Sequence, residues 1–315
     1  MTVHIIGAGM AGLLAGAMFR RGVEVHEAAD KLPNNHHALL RFRSDEIAHH
    51  LNIEFSEVEV MKIVKPWRNK VADAAAYSLK SNGKASLRSI RSAEGKVDRR
   101  FIAPPDFIQV MAEMQPDIEF GCKVDRDLLE WFGKQGPIIS TIPMGSLMQA
   151  LNYPDVPAFA SRSGWVVKAE VHIPSDLCAT IYYPDPDVPV IRATLTGTLL
   201  QIEMVESFDR ALWAVDRIME HVLPDFGIHP HTSHSAELVQ QRYAKILPIG
   251  ERERRKFIMW ATDEFGIYSL GRFAVWKPGL LLDDVFHDCQ KIISMIREGH
   301  NYHGRLPKAN QLRSV

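Results

Sequence analysis

Gly7, Gly9 and Gly12 stand at G-x-G-x-x-G spacing between an apolar run, Val3 to Ile6, and a stretch of small residues, Ala11 to Arg20. A second apolar run, Val23 to His26, ends in Glu27, twenty positions after Gly7. Strand, glycine turn, helix, strand and acid form the context in which this motif binds a dinucleotide. Gly7 permits the tight turn, Gly9 lets the backbone approach a pyrophosphate, and Gly12 lets helix and strand pack closely. Met10 precedes and Ala11 opens the helix, whose free N–H groups and partial positive charge face the phosphates. Glu27, with Ala28 beside it, is placed to accept ribose hydroxyls and would repel a 2′-phosphate, so NADP is disfavoured. The motif alone does not separate FAD from NAD.

A second chemistry-bearing segment lies near the far end. Ile267 to Leu270 reads as a short strand ending in Gly271-Arg272, and a loop through Trp276 and Lys277 leads to Leu282-Asp283-Asp284. Asp283 or Asp284 is placed to cap a helix that continues through Ile292 to Ile296, with its first N–H groups directed outward. Such a helix end can hold the electron-rich C2 carbonyl of an isoalloxazine; an ordinary capped helix is the other reading. Arg272, Tyr268, Trp276 and Lys277 are the candidate catalytic residues, forming a substrate-facing wall. Arg272 leads because a guanidinium balances an anionic flavin or a substrate carboxylate. Trp276 is equally readable as a core aromatic, and Tyr243 reads as structural.

Gly271-Arg272 with an aromatic four residues on, and an acid pair before a final helix, resembles the C-terminal flavin motif of the UDP-galactopyranose mutase and flavin amine oxidase superfamily. Gly136-Pro-Ile-Ile-Ser-Thr141-Ile-Pro143 resembles its strand, Thr-Ile-Pro and helix element, and Gln241-Arg-Tyr243-Ala-Lys245-Ile-Leu-Pro248 its tyrosine and lysine strand. Across His36-His37-Ala-Leu-Leu-Arg41-Phe-Arg43-Ser44 and residues 267–285 the chain is most similar to short flavin-dependent oxidoreductases of phage genomes. The resemblance implies FAD as cofactor, held by Gly7, Gly9, Met10, Ala11, Gly12, Glu27 and Ala28, by Gly271, Arg272, Leu282, Asp283 and Asp284, and by Val124 beside the adenine. The superfamily's Gly-Gly-Arg turn after the ribose acid is absent. Asn34 to His37 tolerate left-handed backbone and donate hydrogen bonds, so His37 and Arg43 are expected in its place. Arg41 and Arg43 either supply positive charge there or face solvent from a strand.

The same resemblance implies oxidation of a C–N bond, amine to imine followed by hydrolysis, and the phage-type relatives imply an amino-acid-modified thymine in phage DNA as substrate. Non-redox flavin chemistry on a sugar nucleotide and a non-catalytic FAD- or NAD-binding scaffold are the alternatives. Hydride chemistry resides in the cofactor, so the absence of a Ser-His-Asp set does not exclude an enzyme.

The formal net charge of the 315 residues is −1, without the basic excess of a protein that grips duplex nucleic acid through many phosphates. A small molecule or a modified nucleobase is therefore the expected partner. The local run Lys84, Arg88, Arg91, Lys96, Arg99, Arg100 reads as a solvated hairpin or loop, and Glu251-Arg-Glu-Arg-Arg-Lys256 as a turn exposed to water. Hydrophobic residues make up 46% and charged residues 24%, the balance of a soluble globular enzyme. With no stretch of membrane-spanning length and no leader pattern, the expectation is a cytoplasmic protein, in the host cytoplasm if phage-encoded. Cys122, Cys178 and Cys289 have no C-x-x-C spacing and read as free thiols. The histidine clusters at 36–37, 49–50 and 229–234 lack accompanying carboxylates, so no metal site is assigned.

These anchors imply an α/β fold: a Rossmann-like FAD-binding domain with a parallel sheet, interrupted by a mostly antiparallel substrate domain. The FAD-binding domain takes residues 1–50, 104–148 and 241–315; the inserted regions take 51–103 and 149–240. Antiparallel strands are expected within 55–102, a helix after Pro105, a strand at 118–124, another at 138–142, four strands between 165 and 205, and a helix at 208–222.

Overall fold

The computed structural model describes residues 2–32, 40–66, 69–86, 96–115, 117–173, 176–209 and 212–300. The strands are β1 (Val3–Ile6), β2 (Val23–His26), β3 (Arg41–Phe42), β4 (Ser56–Val64), β5 (Lys96–Ile102), β6 (Ile118–Glu119), β7 (Ile138–Ser140), β8 (Ser161–Val171), β9 (Cys178–Tyr182), β10 (Val190–Thr196), β11 (Leu199–Met204), β12 (His234–Ile246) and β13 (Ile267–Ser269). The helices are α1 (Met10–Phe19), α2 (Glu46–Leu51), α3 (Lys70–Asn82), α4 (Phe107–Glu113), α5 (Arg126–Gln135), α6 (Met144–Ala150), α7 (Val215–Val222), α8 (Glu251–Phe265) and α9 (Leu282–Glu298).

One sheet is parallel throughout, in the order β13-β7-β1-β2-β6. Its strands are buried on both faces, as their apolar sequences require: every residue of β1, β7 and β13 is buried. Helices α1 and α9 cover one face with Leu13, Leu14, Val285, Phe286 and Ile292, and α5, α6 and α8 cover the other with Phe132, Leu147 and Phe257.

The second sheet runs β12-β8-β11-β10-β9-β4-β5-β3 and is antiparallel except where β4 meets β9. Residues of alternate parity point to opposite faces. Val167, Ala169, Ile181, Ala193, Leu195, Leu200 and Ile202 form one face and pack on Ile218, Met219 and Val222 of α7. Each of those three helix side chains contributes about 1.5–3 kcal/mol by burial. The sheet curls strongly. Three strands separate β3 from β10, yet Arg41 on β3 reaches across to Leu195 O at 2.6 Å, to Thr196 on β10 and to Thr180 Oγ1 on β9 at 2.9 Å. Arg41 is thus a fastener of the curl and does not face solvent.

The predicted α/β class, with a parallel sheet and a mostly antiparallel second sheet, is the observed one, and several elements differ. Helix α3 stands inside the segment expected to be antiparallel strands and a hairpin or loop. Asn69 Oδ1 accepts from Ala72 N at 2.8 Å, four alanines follow within the helix, and Gly83 ends it in the left-handed region. Residues 251–256, expected as an exposed turn, open α8. Glu251 accepts from Arg254 and Arg255, three and four residues on, while Phe257, Ile258, Ala261 and Phe265 form the buried stripe. Strand β6 stops at Glu119, and residues 121–122 instead bond to the backbone of Ala29 and Glu27. Within the expected 208–222 helix, α7 begins at Val215. Strand β12 runs through residue 241 and β3 lies within 1–50, so membership of the second sheet crosses both limits read from the sequence. Among the described residues no helix is long and apolar enough to cross a membrane.

Candidate functional site

The glycine turn sits at the carboxyl end of β1. Gly7 adopts φ +100°, and a Cβ there would lie 2.6 Å from Thr141 Oγ1, whose hydroxyl donates to Ile6 O and Gly7 O. A Cβ on Gly12 would lie 1.9 Å from Gly7 O, so this residue sets how closely α1 approaches the turn. A Cβ on Gly9 would meet nothing within 4 Å. Gly9 is also the N-cap of α1, with no side chain capping the helix, so the N–H groups of Met10, Ala11 and Gly12 adjoin that open space. Glu27, at the end of β2, accepts from Ala8 N at 2.7 Å and Ala29 N at 3.0 Å. Its half-exposed carboxylate therefore borders the same turn with one lone pair of each oxygen engaged. Ala28 is exposed, and Val124 is half-buried in the loop that follows β6. His37 lies outside the described residues.

The second loop meets the first. Gly271 has φ +95°, and a Cβ on it would lie 2.7 Å from the Ala11 Cβ at the start of α1. The loop closes on itself through Val275 N to Gly271 O and Lys277 N to Arg272 O. Leu282 is the first residue of α9, and of the two acids Asp284 caps that helix, from its third position. Asp284, one turn in, accepts from Leu281 N at 2.9 Å. Asp283 is buried and accepts from Arg43 N at 2.8 Å and Ser44 N at 3.3 Å, because the chain after β3 crosses the helix start there. Arg43 completes the clamp with an ion pair to Asp284 at 2.5 Å, so its charge is engaged by protein carboxylates. Burial opposes ionisation of Asp284, but the Leu281 N–H and the Arg43 guanidinium hold its carboxyl below the ordinary value.

Two of the four candidate catalytic residues are core residues. Tyr268 is 1% exposed and donates to His300 O at 2.5 Å, and burial pushes its phenol up to about 12. Trp276 is 4% exposed, packs edge-on against Phe159 and donates from Nε1 to Leu247 O at 2.8 Å. Neither forms a substrate-facing wall, because each lies in the packing between elements with its polar atom bonded to backbone. Lys277 is exposed at the loop surface.

Arg272 lines a cavity of about 680 Å³ on the face of the second sheet opposite α7. Arg162, Arg192, Glu203, Tyr243 and Lys245 also line it. Arg192 and Glu203 are register partners on β10 and β11 and form an ion pair. The Glu203 charge raises the Arg192 guanidinium pKa; burial works against Glu203, but Arg192 and Lys245 hold its carboxyl low. Burial lowers both Lys245 and Arg272. A second cavity of about 670 Å³, lined by Lys168, Thr196, Phe107 and Ile102, continues along this face, and Gln201 borders both.

Arg192 and Glu203 were not among the expected site residues. Their signal is alternation: Arg192, Thr194 and Thr196 on one strand and Gln201 and Glu203 on the next are the polar members of two apolar runs. Another cluster lies outside the histidine runs of the sequence. His4, Glu24 and His26 share a face of the parallel sheet with ligand atoms within 4.8 Å of one another; the His4 ring stacks on Phe132, the His26 ring packs tilted against it, and His26 bonds Glu119 at 2.7 Å.

No protein-family model matches the chain, and no curated protein matches it. Solved structures share its fold. An oxidoreductase from Methanosarcina mazei matches at 11% identity and a TM-score of 0.53, covering 93% of this chain and 100% of that one. PqsL from P. aeruginosa, in complex with 2-aminobenzoylacetate, matches at 13% identity and 0.54, covering 99% and 91%. Aklavinone-11 hydroxylase, in a ternary complex with FAD and aklavinone, matches at 13% identity and 0.51, covering 94% of this chain and 63% of that one.

Proposed function

We propose that this chain is an FAD-dependent oxidoreductase whose substrate enters the cavity at Arg272. The observation that carries the proposal is the open space at Gly9, bordered by the uncapped start of α1 and by Glu27, with the Gly271 loop packed against Ala11. These residues fit the cofactor. The Met10 to Gly12 N–H groups would hold the pyrophosphate, as helix starts hold anions generally. The free lone pairs of Glu27 would accept the ribose hydroxyls. The loop from Gly271 to Leu281 and the start of α9 would border the flavin ring, positioned by the Asp283, Asp284 and Arg43 clamp. The fold, shared with a hydroxylase solved with FAD, supports this reading.

FAD, when bound, supplies a two-electron acceptor. The bond oxidised in this proposal is C–N: the substrate amine loses a hydride from carbon and a proton from nitrogen to give an imine. Water then hydrolyses the imine to a carbonyl compound and a free amine. The resemblance at residues 36–44 and 267–285 supports an amino-acid-modified thymine of phage DNA as the substrate class. Within the chain, Arg272 holds positive charge at the cavity wall, and the apolar packing of Trp276 and Phe159 behind it fixes the loop that carries it.

Purified protein, with its cofactor released by heat and identified by mass, tests the proposal. FAD release, followed by loss of flavin colour when amines or modified thymidines are added without oxygen, is the expected result. A colourless protein that takes up NAD and not FAD overturns it.

A further inference from the structure

We propose that the cavity at Arg272 is an oxyanion site, built to hold a carboxylate or phosphate of the ligand between Arg272 and Lys245. The assignment of that ligand as a redox substrate rests on the oxidoreductase reading; the anion site itself does not.

Positive charge outnumbers its partners in this cavity. Lys80, Arg162, Arg192, Lys245 and Arg272 line the cavity against two carboxylates, Glu203 and Glu206. Lys80 is committed to structure: its ammonium donates to Tyr183 O at 2.8 Å, Asp185 O at 2.7 Å and Val190 O at 2.6 Å. Arg192 is committed to Glu203, and Glu206 is bonded by Ser163. No ion pair among the described residues involves Arg162, Lys245 or Arg272. Arg272 also carries a buried Nε that finds no acceptor within the protein.

A buried cation without a partner is costly, and proteins pair such charges or give them to a ligand. Burial weakens the hold of both Lys245 and Arg272 on their protons, and the Glu203 charge, which they share with Arg192, offsets this only in part. An oxyanion between them would engage the Arg272 guanidinium and the Lys245 ammonium together. The guanidinium fork matches the paired oxygens of a carboxylate or phosphate, which a neutral amide or hydroxyl cannot offer. Glu203, held by Arg192, borders the pair and disfavours a second negative charge deeper in the cavity. The sheet geometry supplies the rest: β11 and β12 both flank β8 and direct polar residues to this one face, while their apolar residues face α7.

The test is calorimetric titration of the purified protein, as isolated, with three phenyl probes: benzoate, its neutral isostere benzamide, and phenyl phosphate. Benzoate or phenyl phosphate should bind at least about tenfold more tightly than benzamide, the scale of one charge-assisted hydrogen bond. Their ratio tells whether carboxylate or phosphate is the natural group. Arg272→Met and Lys245→Met should each remove that preference, Lys256→Met, an exposed residue paired with Asp155 outside the cavity lining, should keep it, and Lys245→Arg should restore it. Benzamide binding as tightly as both anions overturns the proposal in the unaltered protein, whatever the variants do. So does a preference that survives both methionine variants. Flavin content of the same samples is scored separately. A flavin-free protein that selects benzoate through Arg272 loses the oxidoreductase reading and keeps the anion site, whereas a flavin-bearing protein that does not discriminate loses the anion site alone.

Discussion

Gly9 and Gly12 are three residues apart in one motif, and the structure gives them opposite responses to the same substitution. In Gly12→Ala the new Cβ would sit 1.9 Å from Gly7 O, where an unstrained carbon to oxygen contact is about 3.3 Å. Helix α1 and the turn must separate by more than about 1 Å, and overpacking of this kind costs about 1–3 kcal/mol. For a chain of this size the apparent Tm should fall by roughly 2–10 °C. In Gly9→Ala the Cβ meets nothing within 4 Å and the backbone, at φ −71° and ψ 177°, suits alanine. The reduced freedom of the unfolded chain offsets alanine's poorer fit as an N-cap, so stability should stay within about 0.5 kcal/mol. The methyl would instead occupy the space assigned to the pyrophosphate. Loss of one charge-assisted hydrogen bond, about 1.5–3 kcal/mol, weakens FAD binding roughly 10- to 150-fold. Thermal unfolding of the apoproteins by circular dichroism, paired with FAD titration followed by flavin fluorescence, reads both effects. A Gly9→Ala protein that melts like the parent and binds FAD within about threefold of it would refute the placement of the pyrophosphate.

Three further outcomes follow from the packing and the charges. Arg41→Met strips bonds from Thr180, Thr196 and Leu195 O inside the curled sheet and should cost about 2–4 kcal/mol, seen as a lower denaturant midpoint with FAD affinity retained. An equal loss of FAD affinity would instead place Arg41 at the cofactor. Burial lowers the Lys245 pKa from its ordinary 10.5, so benzoate affinity should decline as pH rises through that lowered value, the neutral amine no longer attracting the anion. Lys245→Arg should flatten the decline, and a level parent profile across the alkaline range would contradict it. Cys289 is fully buried, its thiol pushed up to about 12, and should resist a thiol reagent in the native protein while the partly exposed Cys122 and Cys178 react. Mass spectrometry after labelling identifies which cysteines are modified.

What the sequence makes legible here is what is local. The turn from Val3 to Glu27 is one continuous piece whose glycines, helix start and acid report on each other, and β1 and β2 occupy the residues read for them. Helices α3 and α8 are hard to read from sequence because their signals are weaker than the composition around them. Alanines beside a Ser, Gly and basic stretch look like loop, and alternating charges look like a solvated turn until the three- and four-residue spacing of Glu251, Arg254 and Arg255 is counted. The cavity was less legible for a different reason. Arg192 and Glu203 meet through antiparallel register, and Lys245 comes to Arg272 from a different sheet.

Charge alone could not have separated the two arginines that matter most. Arg41 and Arg272 are both removed from bulk water, and burial lowers the pKa of each. Arg41 finds two hydroxyls and a carbonyl across the curled sheet, so removing it should cost stability. Arg272 has a buried Nε that finds no acceptor. An arginine whose donors are filled by its own fold holds the structure together; one that lines a cavity and forms no ion pair among the described residues is available to a ligand. That difference lies in the acceptors each side chain meets, which depend on how β9, β10 and β12 are laid beside one another, and so it belongs to the fold before it can be read from the sequence.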